Sequence, residues 1–404
     1  MGNTVGRRLL EIAGVSLRLG LTSFGGPVAH LGYFHEEYVK RRKWLDERSY
    51  ADLVALCQFL PGPASSQVGI GIGLMRGGML GGLLAFLGFT LPSVVALALF
   101  ALLMEGMDLQ HAGWLHGLKL VAVAIVAQAI WGMGQKLTPD RSRMTIAVMA
   151  VSAALLLPTS VTQIVIIVVA GLIGLWLYRG QKGVEEAAAV EAAGSAAAHG
   201  TAVPVTRTTA VIALLTFALL LIVLPLARIW APDGGWLAMF ESFYRSGSLV
   251  FGGGHVVLPL LEREAIPAGW VTEEQFLAGY GAAQAVPGPL FTFAAYIGAV
   301  AGGWWGVLIA TVAIFLPAFL LVVGTLPFWN ALRGLPKVQG VLKGVNAAVV
   351  GILLAAFYDP IWTSSVTTPA DFVMALALFL LLVYWKLPPW FVVLAGAAGG
   401  MLIG

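Results

Sequence analysis

The chain has 404 residues, 59% of them hydrophobic and only 11% charged, with a formal net charge of +3. Soluble domains carry about 25% charged residues, so an ordinary soluble domain is excluded, and no Lys/Arg tract is long enough to suggest nucleic acid. The single cysteine, Cys57, excludes an internal disulfide and a cysteine-based metal site.

Residues 1–6 have neither the apolar core and cleavage site of a signal peptide nor the hydroxyl residue at position 6 that N-myristoylation needs. Segment 9–34 is apolar and broken at Gly25-Gly26-Pro27, and the basic loop Lys40-Arg41-Arg42-Lys43 follows it. Segment 48–76 is broken at Pro61-Gly62-Pro63, and Cys57 within it reads as an inert small residue. Segments 79–104, 114–131, 207–230, 303–326 and 338–358 approach or exceed the roughly 20 residues that cross a bilayer. Segments 144–179 and 372–404 read as pairs of shorter helices joined at Pro158 and at Pro388-Pro389. Residues 180–204, rich in Ala, Gly and Glu, read as a flexible linker. The expected fold is an all-α polytopic membrane protein.

The two sides of the linker match. Phe24-Gly25-Gly26 pairs with Phe251-Gly252-Gly253, Glu37 with Glu264, Trp44 with Trp270, and Gln58-x-x-Pro61-Gly62-Pro63 with Gln284-x-x-Pro287-Gly288-Pro289. Gly77-Gly78 pairs with Gly302-Gly303, Leu91-Pro92 with Leu316-Pro317, and Gly117 with Gly344. The offset stays between 225 and 227, which marks a duplicated unit of the kind transporters use. The expected domains are a first repeat at 1–179, a cytoplasmic linker at 180–206, an extra transmembrane helix at 207–234 and a second repeat at 235–404.

Loop charges orient the copies, because Lys and Arg favour the cytoplasmic side of short loops. Loop 105–113 has no Lys or Arg, whereas 135–143 has Lys136, Arg141 and Arg143. In the second copy 328–340 has Arg333 and Lys337, whereas 359–371 has none. Corresponding loops fall on opposite sides, so the repeats are expected to be inverted, with 207–230 as the odd crossing. Segments 9–34 and 48–76 then read as re-entrant hairpins. The rival reading makes them full crossings, which leaves about nine to thirteen crossings open.

Pro-Gly-Pro cannot continue a helix, and broken backbone at membrane depth is tolerated only inside protein or beside a water-filled cavity. Each break restarts a helix with unpaired N–H groups and a positive dipole end. Two inverted copies aim two such ends at the midplane, an arrangement suited to an anion. The candidate site comprises Pro61, Gly62, Pro63, Pro287, Gly288 and Pro289, hydroxyls of Ser65, Ser66 and Thr292, and amides of Gln58, Gln67 and Gln284. The alternative is a kink that serves packing alone. Gly25, Gly26, Gly252 and Gly253 admit a close backbone or ligand. Gly69, Gly73, Gly77 and Gly81 form a small-residue packing stripe.

Arg18, Lys119 and Lys343 lie in apolar context, where a charge is costly and by default functional. The lysines sit near helix starts and can snorkel, which leaves Arg18 as the anion-partner candidate. Glu37 and Glu264 are candidate proton carriers, with interface salt bridges as the alternative. His30 and His255 follow the two FGG turns and are candidates for a proton or anion role. Arg41, Arg42 and Lys43 read as topology determinants. No metal or cofactor is expected, and no Walker-type phosphate loop is present.

The run FGGPVAHLGYFHEEYVKRRKWLDERSYADLVALCQFLPGPASSQ, echoed by FGGGHVVLPLLEREAIPAGWVTEEQF and QAVPGPLFTFAAYIG, resembles the chromate ion transporter family in its long-chain, two-domain form. That resemblance implies proton-motive-force-driven chromate efflux across the bacterial inner membrane, hence chromate resistance, with sulfate as a structural mimic. The implied partners are chromate, sulfate, protons and the lipid bilayer, with a homodimer as a further candidate. A sulfate carrier and an anion channel are the competing readings. An intramembrane enzyme would need a nucleophile with a base, or a metal cluster, at membrane depth, and the sequence offers neither. The second copy departs from the first, with Gly254 in place of Pro27 and Leu-Phe-Thr in place of Ser-Ser-Gln, so unequal contributions from the halves are expected.

Overall fold

The computed structural model describes residues 2–104, 113–157, 160–178, 205–230, 235–251, 256–329 and 336–403, all helical or irregular. The first copy comprises α1 (Gly2–Thr22), α2 (Gly26–Phe34, extended by a wider turn to Arg41), α3 (Glu47–Phe59), α4 (Ala64–Met104), α5 (Gly113–Leu137), α6 (Arg141–Leu156) and α7 (Ser160–Tyr178). Helix α8 (Arg207–Trp230) follows. The second copy comprises α9 (Gly235–Leu249), α10 (Val257–Ala265), α11 (Glu273–Ala285), α12 (Phe293–Thr325), α13 (Pro336–Ala356), α14 (Pro369–Val383) and α15 (Pro389–Ile403). Among the described residues five helical stretches are long and apolar enough to cross a membrane, including α4, α5 and α8. The chain is a multi-pass membrane protein, and large apolar side chains such as Leu215, Leu219 and Ile222 on α8 stand exposed, as a lipid-facing surface requires.

The described breaks are where the sequence places them, while Gly252-Gly253, Pro158 and the linker 180–204 lie outside the described residues. Helix α1 stops at Thr22, Gly25 and Gly26 take φ of 96° and 77°, and Pro27 opens α2. Positive φ is strained for residues with a Cβ, and Pro is preset for the first helical turn. Asp46 starts α3 by accepting the Ser49 amide at 2.9 Å, which holds its carboxyl below the usual range. Helix α4 bends at Gly77-Gly78 and α12 at Gly302-Gly303, with φ of 64° at Gly78 and 57° at Gly303.

Ion pairs show how these pieces are arranged. Glu11, midway along α1, binds Arg42 at 2.7 Å and Arg76 at 2.8 Å. The chain therefore leaves this point at 11, returns at 42, leaves again and returns at 76. Segments 11–42 and 42–76 are hairpins folded at the FGG and Pro-Gly-Pro breaks, not through-running helices. In the second copy Trp236 packs on Gly302, and Glu241 and Glu264 share Arg245, so the same pattern recurs.

Corresponding positions meet in reciprocal fashion across the two copies. A Cβ on Gly117 of α5 would strike the Gly396 carbonyl of α15, and one on Gly344 of α13 would strike the Ala170 carbonyl of α7. Each copy thus packs its last helix against the helix third from the end of the other copy, α7 on α13 and α15 on α5, through glycines at matched positions. Gly117→Leu and Gly344→Leu should each wedge one of these crossings apart. Both should lower the detergent-solubilised melting temperature by comparable amounts, whereas Gly132→Leu, with open space around its Cβ position, should not.

Candidate functional site

The two Pro-Gly-Pro breaks do not stand free. Gly62 takes φ of 116° and its N–H donates to the Val250 carbonyl at 2.7 Å, just before the second copy's FGG turn. Gly288 takes φ of 94° and its N–H donates to the Ser23 carbonyl at 2.9 Å, just before the first copy's FGG turn. Each break is therefore tied to the residue that precedes the opposite copy's FGG motif by one matched backbone bond. These two glycine amides are structural, and the donors left for a ligand lie in the helix turns that follow.

Those turns differ sharply. Helix α4 begins at Ala64, and Gln67 donates its side-chain amide back to the Pro61 carbonyl at 2.7 Å, bridging the break. Ser65, Ser66 and Gln67 are buried. The Ser65 hydroxyl meets His30 Nδ1 at 3.3 Å. The His30 ring lies beside the Ser23 backbone and edge-on to Phe89, with centroids 5.4 Å apart. The buried Ser23 Oγ, His30 Nε2, Ser66 Oγ, Gln67 Oε1 and Thr90 Oγ1 carry no hydrogen-bond partner within the protein. Buried polar atoms are almost always paired; Ser66 and Gln67 stand in the first turn of α4 and His30 meets Ser65 there, so these orphans mark a candidate place for a polar ligand.

The second break offers little of this. The counterparts of Ser23, His30, Ser65, Gln67 and Ser93 are Val250, Val257, Phe291, Phe293 and Ala318. Thr292, the counterpart of Ser66, gives its hydroxyl to the Pro289 carbonyl at 2.7 Å. A short 3-10 turn at Leu290–Thr292 replaces the clean helix start. Ser93 from the first copy caps the Pro287 carbonyl. Gln284 keeps one orphaned amide nitrogen, while Gln58 is exposed. The structure therefore brings together Pro61, Gly62, Pro63, Ser65, Ser66, Gln67 and His30, with Gly288 beside them through Ser23. Gly25 and Gly26 form the turn that carries Ser23 and His30. Gly252, Gly253 and His255 lie outside the described residues.

The other candidates sit in two ion-pair clusters. Arg18 is not a lone cation, because it binds Glu37 at 2.6 Å. Glu37 also accepts from Arg42 at 2.6 Å and faces Arg41 at 3.4 Å. Arg245 occupies the position equivalent to Arg18 and binds Glu264 at 2.8 Å and Glu241 at 2.5 Å. Glu264 further accepts from Ser242 at 2.8 Å, and Arg228 reaches Glu241 at 2.7 Å. The salt-bridge alternative for both glutamates is what the structure contains. Lys343 covers the Tyr178 ring at 5.1 Å, and Lys119 lies within electrostatic reach of Glu274.

Comparison with known proteins gives a consistent picture. A family model described as "Chromate transporter" matches residues 10–175 and 237–401. The chain is 30% identical over 355 residues to a chromate transport protein of Pseudomonas aeruginosa, covering 85% of this chain and 79% of that one. It is 28% identical over 353 residues to a probable chromate transport protein of Synechococcus elongatus, covering 86% and 83%. A chromate transport protein of Cupriavidus metallidurans is 26% identical over 398 residues, covering 96% and 90%. No solved structure matches the chain.

Proposed function

Because the chain belongs to the chromate transporter family, we propose that it exports chromate across the bacterial inner membrane as a proton-driven secondary transporter, giving chromate resistance. The observation that carries the site assignment is the group of buried, unpartnered polar atoms at the start of α4, set against an apolar counterpart in the second copy. Chromate is a tetrahedral dianion. It suits a helix N-terminus, whose free N–H groups and dipole supply about half a positive charge, together with the Ser66 hydroxyl. Sulfate shares that shape and charge and should compete.

The same reading takes the repeats as inverted, with domains at 1–179, 180–206, 207–234 and 235–404. Support comes from α5 and α13, which correspond through Gly117 and Gly344. Helix α5 begins beside Asp371, where His116 binds it at 2.6 Å, and Asp371 lies beyond the end of α13. Helix α5 ends next to Asp140, which sits by Tyr178, and Lys343 at the start of α13 covers that tyrosine. Corresponding helices thus run in opposite directions. With Lys136 and Arg141 on the cytoplasmic side, the hairpins of the first copy open to the cytoplasm and those of the second to the opposite face.

Radiolabelled chromate uptake into everted vesicles tests the function, with and without a proton gradient and with excess sulfate. Gradient-dependent accumulation that sulfate inhibits is the expected result, and absence of energised accumulation would refute it. Counterflow separates a carrier from a channel, since only a carrier shows trans-stimulated exchange.

A further inference from the structure

The Glu37 carboxylate is surrounded by arginines from two directions. Arg18 reaches it from α1, and Arg41 and Arg42 reach it from the end of the first hairpin. Glu37 itself is almost completely buried, at 5% side-chain exposure, while Arg18 and Arg41 keep 48% and 61%. The arginines therefore present open faces that the carboxylate does not fill. Arg42 and Arg76 continue the chain to Glu11. Four arginines face two glutamates, so this cluster holds two positive charges beyond what its own acids neutralise. The matched cluster in the second copy sets Arg228 and Arg245 against Glu241 and Glu264 and holds no such excess.

A buried carboxylate ringed by guanidinium groups is the chain's own version of a bound oxyanion. Arginine presents a fork of N–H donors that fits carboxylate and tetrahedral oxyanions alike. We propose that Arg18, Arg41 and Arg42 form a capture site for a doubly charged oxyanion at the cytoplasmic mouth, and that the Glu37 carboxylate holds this site as an internal competitor which the substrate displaces. The proposal rests on the oxyanion-transport reading above. Arg18 lies one turn before the end of α1 at Thr22, so an anion held there sits on the helix that leads into the turn carrying Ser23. The excess positive charge concentrates dianions at this mouth. The neutral cluster of the second copy offers no equivalent hold, which favours release on that side. The position of the charge thus matches collection inside and release outside.

Two readouts test this, using sulfate as the binding probe and chromate as the transported ion. In detergent, sulfate should raise the melting temperature of the intact chain. In everted vesicles the cytoplasmic face is accessible, and chromate KM and maximal rate can be separated. Arg18→Gln removes a charge-assisted contact, so KM should rise roughly tenfold or more with the maximal rate little changed, and Arg18→Lys should restore part of the loss. Arg41→Gln, at an exposed position that tolerates replacement, should shift KM the same way. Glu37→Gln should lower KM and strengthen the sulfate response, because the competitor loses its charge. If Arg18→Gln and Glu37→Gln alter the melting temperature but leave both KM and the sulfate response unchanged, the cluster is a structural salt bridge and the proposal falls. A rise in KM on Glu37→Gln would also overturn it. The sulfate arm decides the capture site even where no variant, nor the unaltered chain, transports chromate. That last outcome would refute the transport reading instead.

Discussion

Gly288→Ala is expected to disrupt the folded chain more severely than any other single methyl addition at the two breaks. The residue sits at φ of 94°, a conformation that costs a residue with a Cβ on the order of 1–3 kcal/mol. An added Cβ would also run into the Ser93 hydroxyl and lie 3.3 Å from the Phe89 carbonyl. Ser93 is then driven from the Pro287 carbonyl it caps, and the Gly288 amide is pulled from Ser23. Gly62→Ala at φ of 116° meets only the Gln67 side chain at 3.1 Å and Ala318 at 3.4 Å. It should therefore cost the strain without a backbone collision. Thermal melts in detergent should rank the unaltered chain above Gly62→Ala, and Gly62→Ala above Gly288→Ala. Equal melting temperatures for all three would show that the breaks do not hold the copies together.

Gln67→Glu should abolish transport while leaving the fold intact. Position 67 lies in the first turn of α4, where a carboxylate is stabilising because it complements the helix dipole. That carboxylate would itself be the anion at the site. Two unit charges about 4 Å apart repel by about 4 kcal/mol at an effective dielectric constant of about 20. A dianion feels roughly twice that, so chromate kcat/KM should fall by at least about a thousandfold. Gln67→Glu also loses the amide bond to the Pro61 carbonyl, so the melting temperature should fall as far as it does in Gln67→Leu, which loses the same bond without adding a charge, and the repulsion is read as the flux lost beyond that of Gln67→Leu. Unchanged flux with Gln67→Glu would place the substrate path elsewhere.

Much of this arrangement is legible in the sequence. Gly25-Gly26-Pro27 and the two Pro-Gly-Pro runs can only be interruptions, because proline lacks the amide and glycine alone accepts the φ found there. The short helices on either side of residues 158 and 388 follow from apolar length and Pro. The difference between Ser65-Ser66-Gln67 and Phe291-Thr292-Phe293 already makes the two breaks chemically unequal. What spacing cannot reveal is which copy's turn meets which break. The bonds from Gly62 to Val250 and from Gly288 to Ser23 are tertiary, and they turn the two central glycine amides from ligand donors into fasteners. Ser23, Thr90 and Ser93 go unnoticed because a lone hydroxyl in an apolar helix has no local signature. Arg245 is the counterpart of Arg18 at the same offset as the FGG turns, but it lies on an amphipathic helix without a motif to draw attention. Arg18 read in isolation looks like a free cation. Only the fold brings Glu37, nineteen residues along, back onto it.

The partition of roles between the copies follows from the same contacts. Matched backbone bonds and glycine crossings tie the two copies together at corresponding positions, while the side chains at the two breaks differ.

Chromate flux through Ser66→Ala and Thr292→Ala, measured side by side in everted vesicles, tests the one-sided site most directly. The two residues occupy equivalent positions after the two breaks, and each replacement removes the hydroxyl, that of Thr292 together with its γ-methyl group. Ser66 has an unpartnered buried hydroxyl, so its removal should lower kcat/KM by about tenfold to a hundredfold, the usual worth of a hydrogen bond to a charged group. Thr292 gives its hydroxyl to Pro289, so its removal should leave flux near that of the unaltered chain. Equal losses in both variants, or a larger loss at Thr292, would contradict the assignment of the oxyanion site to the first break.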